Sequence, residues 1–179
     1  ELEFRLQGKG DLGWPHPFEL SLNVKLGDTL TVALEMKHLG ESTVEITAAL
    51  HTYLGVGDIA QTRVEGLADT HYLDSLDDHR KVLQEGEVLF DREVDRIYLA
   101  EGAVQVVDPV WHRTLEIDKS GSQATVVWNP WIEKSKRLAD LPDDAYHGFL
   151  CIEAANTGGE VVRLEPNGTH TLSQVILVN

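Results

Sequence analysis

The sequence predicts an all-β fold, an antiparallel sandwich or barrel, and two observations carry this prediction. Apolar and polar residues alternate almost without interruption over residues 18–26 and again over residues 29–36. Alternation of this period places one face of a strand against a core and the other towards solvent. Gly, Asp and Asn residues also interrupt such stretches at intervals of roughly ten residues, a spacing typical of antiparallel β domains.

The elements follow from these patterns in chain order. Gly27 and Asp28 lie between the first two alternating runs and predict a hairpin turn. The alternation resumes before His51, and a short helix of at most a turn or two is predicted over residues 132–138. A loop is predicted over residues 74–86, and a hairpin turn at Gly158-Gly159. Further short strands are predicted over residues 88–90, 96–99, 105–107, 112–117, 124–128, 148–153, 161–164 and 169–178.

Length and charge limit the classes of function. The 179 residues suffice for a single domain, which we predict to span 1–179. Lys and Arg number 15 and Asp and Glu 30, so the net charge is −15. Such a surface repels nucleic acids and anionic membranes, and neither is expected as a partner. The same charge repels a phosphorylated sugar, so a phosphate ligand would need a local basic pocket.

The cysteine content and the first residues give two further expectations. Cys151 is the single cysteine, which excludes a disulfide within the chain and weakly favours a cytoplasmic location. The first residue is Glu1, and the alternation of Leu2, Phe4 and Leu6 begins at once. We therefore interpret the chain as a domain truncated at its N-terminus. No apolar run approaches the length of a membrane span.

Four motifs, taken together and in order, carry a resemblance to a known family. They read WPHPFEL at residues 14–20, HTYLGVGDI at 51–59, EVDRIY at 93–98 and VWNPW at 127–131, and the last is followed by CIE at 151–153. In this order and at these separations they closely resemble the hexose-6-phosphate mutarotases, or glucose-6-phosphate 1-epimerases, of the aldose 1-epimerase superfamily. The resemblance covers nearly the whole chain.

The resemblance implies a fold, an activity and three site residues. The fold would be a large antiparallel β-sandwich of the galactose mutarotase type. The activity would be interconversion of the α and β anomers of a hexose 6-phosphate, without a metal or organic cofactor. Carried over by motif, His51 would be the acid, Glu153 the base, and Asp95 a binder of sugar hydroxyls. General acid–base catalysis suits this reaction, because opening a hemiacetal needs one proton removed and one supplied.

Two departures from the family pattern leave alternatives open. Arginines that hold the phosphate in the family belong to segments preceding the part that this chain matches. The family usually continues with Pro-Gly after the base, whereas Ala154-Ala155-Asn156 follow Glu153 here. The alternatives are an aldose 1-epimerase for unphosphorylated sugars, a non-catalytic carbohydrate-binding sandwich, and an inactive fragment. A matched acid and base argues against a pure binding module.

The residues alone support weaker interpretations than the resemblance does. Taken alone, His51 is better explained as a structural histidine near a strand end, and Glu153 equally well as an outward-facing acid. Asp95 could simply pair with Arg96 on the surface. Among the other candidates, two tryptophans fit a core better than a sugar-stacking surface, one histidine fits a structural role, and the lone cysteine fits an inert core thiol: Trp128, Trp131, His16 and Cys151.

Overall fold

The computed structural model describes residues 1–10 and 13–179 of the chain. Strands dominate this part. The helical segments are the α-helix α1 (Trp131–Ser135) and two 3-10 turns, Ile59–Gln61 and Ala145–Gly148. The strands are β1 (Leu2–Lys9), β2 (Pro17–Leu26), β3 (Thr29–His38), β4 (Val44–Ile46), β5 (Ala48–Gly55), β6 (Arg63–Glu65), β7 (His71–Asp74), β8 (Arg80–Leu83), β9 (Val88–Leu89), β10 (Val94–Tyr98), β11 (Val104–Asp108), β12 (Arg113–Ser120), β13 (Ala124–Asn129), β14 (Phe149–Asn156), β15 (Val162–Leu164) and β16 (Thr169–Val178).

Two antiparallel sheets form the body of the fold. Eight strands form one sheet in the order β1-β2-β3-β16-β12-β11-β6-β9, and six form the other in the order β5-β14-β13-β10-β7-β8. Strands β4 and β15 form a separate two-stranded ribbon. Every strand pair among the described residues is antiparallel, and a core between the two sheets confirms the predicted antiparallel β-sandwich.

The main core lies between the two sheets. Val106 and Leu115 of the larger sheet pack in one cluster with Leu150 and Ile152 of the smaller sheet. Strand β14 is buried along its whole length, because it is flanked by β5 and β13 and covered on both faces. Its outward-facing residues join a second apolar cluster on the far side of the smaller sheet, with Trp128 of β13 as a large member. The smaller sheet is therefore buried on two faces at its centre.

Most of the predicted elements are present, and two predictions were wrong. The β2–β3 hairpin turns at Gly27, and α1 is as short as expected. The predicted loop over residues 74–86 contains β8, an edge strand with mostly exposed residues, which is why it shows no alternation. The turn at Gly158-Gly159 is not a hairpin: it leads from β14 in the six-stranded sheet to β15, which pairs with β4.

The helices within residues 1–10 and 13–179 are all short. Within that part of the chain, no helix has both the length and the apolar character needed to span a bilayer.

Candidate active site

The register of the smaller sheet brings two predicted site residues together on its outer face. His51 of β5 is directly opposite Glu153 of β14, and Glu153 is opposite Val126 of β13. Since directly opposed residues in an antiparallel pair share a face, the imidazole and the carboxylate point the same way. His51 Nε2 lies 3.2 Å from Glu153 Oε1.

The next row of the same face holds the third predicted residue. Asp95 of β10 is opposite Trp128 of β13, which is opposite Cys151 and, through it, Tyr53 of β5. Asp95 is thus two strands from Glu153, roughly 10 Å across the sheet at the usual strand spacing. A cleft of about 520 Å³ joins the two rows, and it is lined by His51, Asp95 and Glu153 among others.

The carboxyl group of Glu153 is the most perturbed acid of this cleft. The residue is only 6% exposed, whereas the His51 side chain is 47% exposed. Burial, and to a lesser extent the nearby Asp95 carboxylate, raise the pKa of Glu153 to about 7. Burial has this effect because a carboxylate that leaves water loses its hydration, which favours the neutral form. Glu153 can therefore gain or lose a proton near neutral pH.

Aromatic rings surround His51 and fix its orientation. The ring of Tyr53, two residues along β5, stacks on the imidazole at 4.9 Å between centroids and 23° between planes. Trp128 meets the same imidazole edge-on at 5.6 Å, and Phe149 packs against both Tyr53 and Trp128. Rings in such arrangements restrict one another, so His51 is held above the Glu153 carboxylate.

The strands that carry the pair are tied to the opposite sheet by one buried side chain. Gln174 of β16 is 1% exposed. Its amide nitrogen donates to the Ile152 carbonyl at 2.9 Å, and its amide oxygen accepts from the Thr52 hydroxyl at 2.6 Å. Thr52 and Ile152 adjoin His51 and Glu153 in sequence. The larger sheet thereby holds both strands at the level of the pair.

The lysine at this cleft was missed by the sequence analysis. Lys134 of α1 lines the cleft, with Nζ 3.2 Å from Glu93 Oε1 and 3.5 Å from Asp95 Oδ2. Its ammonium also lies 5.7 Å from the centroid of the Trp128 ring. The signal that could have located it is its place three residues after the VWNPW motif, at the end of a helix too short to show a period of its own.

The other four residues considered in the sequence lie in the core, at the edge of the cleft or beside a second cavity. Trp131 packs against Tyr146, on the side of the core, and Trp128 is 8% exposed at the edge of the cleft. His16 lies against Trp14 and His38, beside a separate apolar cavity of about 370 Å³ that His38 and Trp14 line. Cys151 is a buried free thiol, and burial raises its pKa, which keeps it protonated.

The Ala154-Ala155-Asn156 departure leaves the strand intact. Strand β14 runs on through these residues, and Ala155 and Asn156 remain opposite Ala49 and Ala48 of β5. Ala155 and Asn156 then line the cleft beside Glu153. A metal would need a group of at least three His, Cys, Asp or Glu side chains in suitable positions, and residues 1–10 and 13–179 contain none.

Comparison with known proteins shows to which family the chain belongs. The sequence model of the aldose 1-epimerase family matches residues 1–177. The chain belongs to the aldose 1-epimerase family. It is 37% identical over 148 residues to a protein of Cenchrus ciliaris, and 38% identical over 142 residues to one of Salmonella typhimurium. A glucose-6-phosphate 1-epimerase activity is provisionally assigned to both proteins.

The matches cover most of this chain but only part of each relative. They include 79% and 78% of this chain, and 45% and 47% of the two relatives, so the chain spans about half the length of the curated relatives it matches. The crystal structure of a Salmonella typhimurium protein with a provisionally assigned mutarotase activity superposes with a TM-score of 0.88 at 32% identity. That superposition covers 99% of this chain and 59% of the other.

Proposed function

We propose that the protein interconverts the α and β anomers of hexose 6-phosphates, with His51 as acid and Glu153 as base. The carrying observation is the 3.2 Å approach of His51 Nε2 and Glu153 Oε1 inside one cleft. The two oxygens that exchange protons during ring opening are bonded to the same carbon, C1. An acid and a base that serve both oxygens must therefore lie within a few ångströms of each other.

The proton transfers balance with these two residues alone. Glu153 removes the proton from the C1 hydroxyl, the bond between C1 and the ring oxygen breaks, and His51 protonates the departing ring oxygen. After rotation about the C1–C2 bond, His51 takes that proton back while the oxygen attacks the other face of C1. Glu153 then returns its proton to the new C1 hydroxyl. Each group typically contributes about 10²–10⁴-fold to such a rate.

The pKa of Glu153 suits a base working in both directions. A general base is most effective when its pKa lies near the working pH, and burial brings this carboxyl to about 7. The imidazole of a histidine can both donate and accept a proton, which suits the acid role proposed for His51. Asp95, which lines the same cleft, would accept hydrogen bonds from sugar hydroxyls away from C1. A cytoplasmic location stays a prediction.

An aldose 1-epimerase acting on unphosphorylated sugars is the second candidate, and the charges of the cleft favour it. Its lining includes the carboxylates of Asp95 and Glu153, and Lys134 already contacts two carboxylates. No arginine is found among the lining residues of this described part of the chain. A phosphate would therefore need cations from outside this lining.

Anomer exchange measured by NMR on the purified protein tests the proposal. We expect accelerated exchange of glucose 6-phosphate, and near-background exchange in His51→Asn and Glu153→Gln. His71→Asn and Glu133→Gln are matched controls, because both residues are exposed and lie away from the cleft. Exchange of glucose but not of glucose 6-phosphate would select the second candidate. Binding without exchange, or wild-type exchange in both site variants, would refute the mechanism.

A further inference from the structure

The VWNPW motif builds a turn between two residues that line the cleft, Trp128 and Lys134. Asn129, which is fully buried, donates from its side-chain amide to the carbonyls of Tyr146 at 2.9 Å and Phe149 at 2.8 Å. Its side-chain oxygen accepts from the Trp131 backbone N–H at 2.9 Å. The first two bonds join the end of β13 to the start of β14 and the turn before it, and the third closes the turn after β13. The side chain of Asn129 therefore has a structural role: it fixes the turn that follows it to the sheet.

The conformation of Trp131 shows how firmly this turn is fixed. Its φ is 53°, in the left-handed region that non-glycine residues rarely adopt. Holding a bulky residue there costs about 1–3 kcal/mol, which the surrounding contacts must offset. The Trp131 ring packs on Tyr146 at 5.2 Å between centroids. The turn therefore starts α1 in one defined direction, and that direction carries Lys134 over Trp128.

The environment of the Lys134 ammonium suits hydroxyl recognition rather than phosphate binding. Glu93 at 3.2 Å and Asp95 at 3.5 Å already supply two negative charges, so the group attracts a further anion only weakly. An ammonium carries three N–H donors, and two carboxylate contacts leave one of them for a ligand. A carboxylate accepts several hydrogen bonds, so Asp95 can hold Lys134 and still accept one from a hydroxyl.

We propose that Lys134 is a substrate-binding residue that, together with Asp95, recognises neighbouring ring hydroxyls of the sugar at the end of the cleft away from Glu153. The Lys134 ammonium donates to one hydroxyl oxygen, and the Asp95 carboxylate accepts from the next. The Trp128 ring, 5.7 Å from the ammonium, lines the same cleft and would contact the edge of the bound sugar. This inference rests on the proposed function for its substrate class, and it assigns the contact to hydroxyls shared by phosphorylated and unphosphorylated hexoses.

Kinetics on two substrates test the assignment. In Lys134→Met, assayed above pH 8 where Glu153 is ionised, we expect KM to rise on the order of ten- to a hundred-fold, as for loss of a hydrogen bond to a charged group, with kcat little changed. The same factor should apply to glucose and to glucose 6-phosphate. Lys134→Arg should recover part of the loss. Lys136→Met is the matched control, since Lys136 lies on the same turn but pairs with the exposed Glu133.

A series of deoxyglucoses identifies the hydroxyl. For one ring position, the deoxy sugar should bind the wild-type protein and Lys134→Met equally well. An unchanged KM in Lys134→Met, a penalty confined to the phosphorylated sugar, or a penalty that persists with every deoxy sugar would overturn the assignment. If Lys134→Met unfolds at a lower temperature than Lys136→Met, the comparison is made with Lys134→Gln.

The failure of this inference can be told from failure of the proposed function. If the wild-type protein exchanges no sugar, the proposed function has failed, and NMR titration with glucose then measures binding alone. Weaker glucose binding in Lys134→Met than in Lys136→Met would still support the contact, and equal binding would refute it. If the wild-type protein is active and Lys134→Met keeps its KM, only the inference about Lys134 has failed.

Discussion

The two faces of the six-stranded sheet place alternate residues of the same strands in opposite settings. On β5 and β14, Thr52 and Ile152 face the larger sheet, while His51 and Glu153 face the cleft. The inner face is apolar and tightly packed, and it fixes the register of the strands. That register also determines which side chains meet on the outer face, because successive residues of a strand point to opposite faces of the sheet. Residues that stabilise the sheet and residues of the proposed site therefore alternate along the same strands.

The largest effect on the outer face is expected from Glu153→Gln. The amide cannot act as a base, so kcat should fall by about 10²–10⁴-fold. Exchange spectroscopy on glucose 6-phosphate or glucose, whichever the wild-type protein turns over, measures the loss. A rate within threefold of the wild type, on the order of normal variation between surface variants, would exclude Glu153 as the base.

The same variant should be more stable than the wild type at alkaline pH. Burial raises the pKa of Glu153 from the ordinary 4.5 to about 7 in the folded protein, so the folded state binds the proton more tightly than the unfolded chain. This tighter proton binding stabilises the folded wild-type protein fully below about pH 4.5, and the stabilisation is lost as pH rises through about 7. Thermal unfolding at pH 5 and pH 8 checks this: the gain of Glu153→Gln over wild type should grow with pH. A gain that shrinks with pH would contradict it.

On the inner face, a substitution should lower the stability of the protein much more than it lowers kcat. Leu150 is fully buried in the main core, and Leu150→Ala should lower the free energy of unfolding by about 2–5 kcal/mol through lost contacts and a cavity. Its side chain lies on the face opposite the cleft, so kcat at a temperature where the variant is folded should stay near the wild-type value. Denaturant unfolding and exchange kinetics test the two halves. A large fall in kcat in the folded variant would show that the faces are coupled.

Asp95→Asn should shift the pH dependence of the outer face by a smaller amount. The Asp95 carboxylate raises the pKa of Glu153, so its neutralisation should lower that pKa and move the acidic limb of the kcat/KM profile to lower pH. The His51 imidazole lies 3.2 Å from Glu153, and the Lys134 ammonium pairs with Asp95. Asp91→Asn is the control, because Asp91 pairs with Arg92 at the exposed surface. A limb that moves to higher pH would contradict the electrostatic role.

Sequence patterns predicted the inner face better than the outer one. The alternation that located strands such as β16 arises from core burial, which leaves a periodic record in the sequence. Strand β8 was not predicted, because it lies at a sheet edge where few of its side chains are buried. His51, Glu153 and Asp95 came from the motif resemblance, since the pairing of β5 with β14 across about a hundred residues has no local signature. Lys134 was missed because ion pairs with Glu93 and Asp95 depend on a tertiary turn.

The smallest effect on the outer face is expected from loss of the ring that stacks on His51. Tyr53 lies 4.9 Å from the imidazole between centroids, and aromatic pairs contribute about 0.5–1.5 kcal/mol beyond their buried area. Tyr53→Leu should therefore lower kcat by roughly two- to ten-fold through a less ordered His51. Tyr53→Phe keeps the ring and serves as the matched control, with kcat near that of the wild type. If Tyr53→Phe loses as much as Tyr53→Leu, the hydroxyl rather than the stacked ring is the group that matters. The outer face would then contain a further polar contact with the sugar.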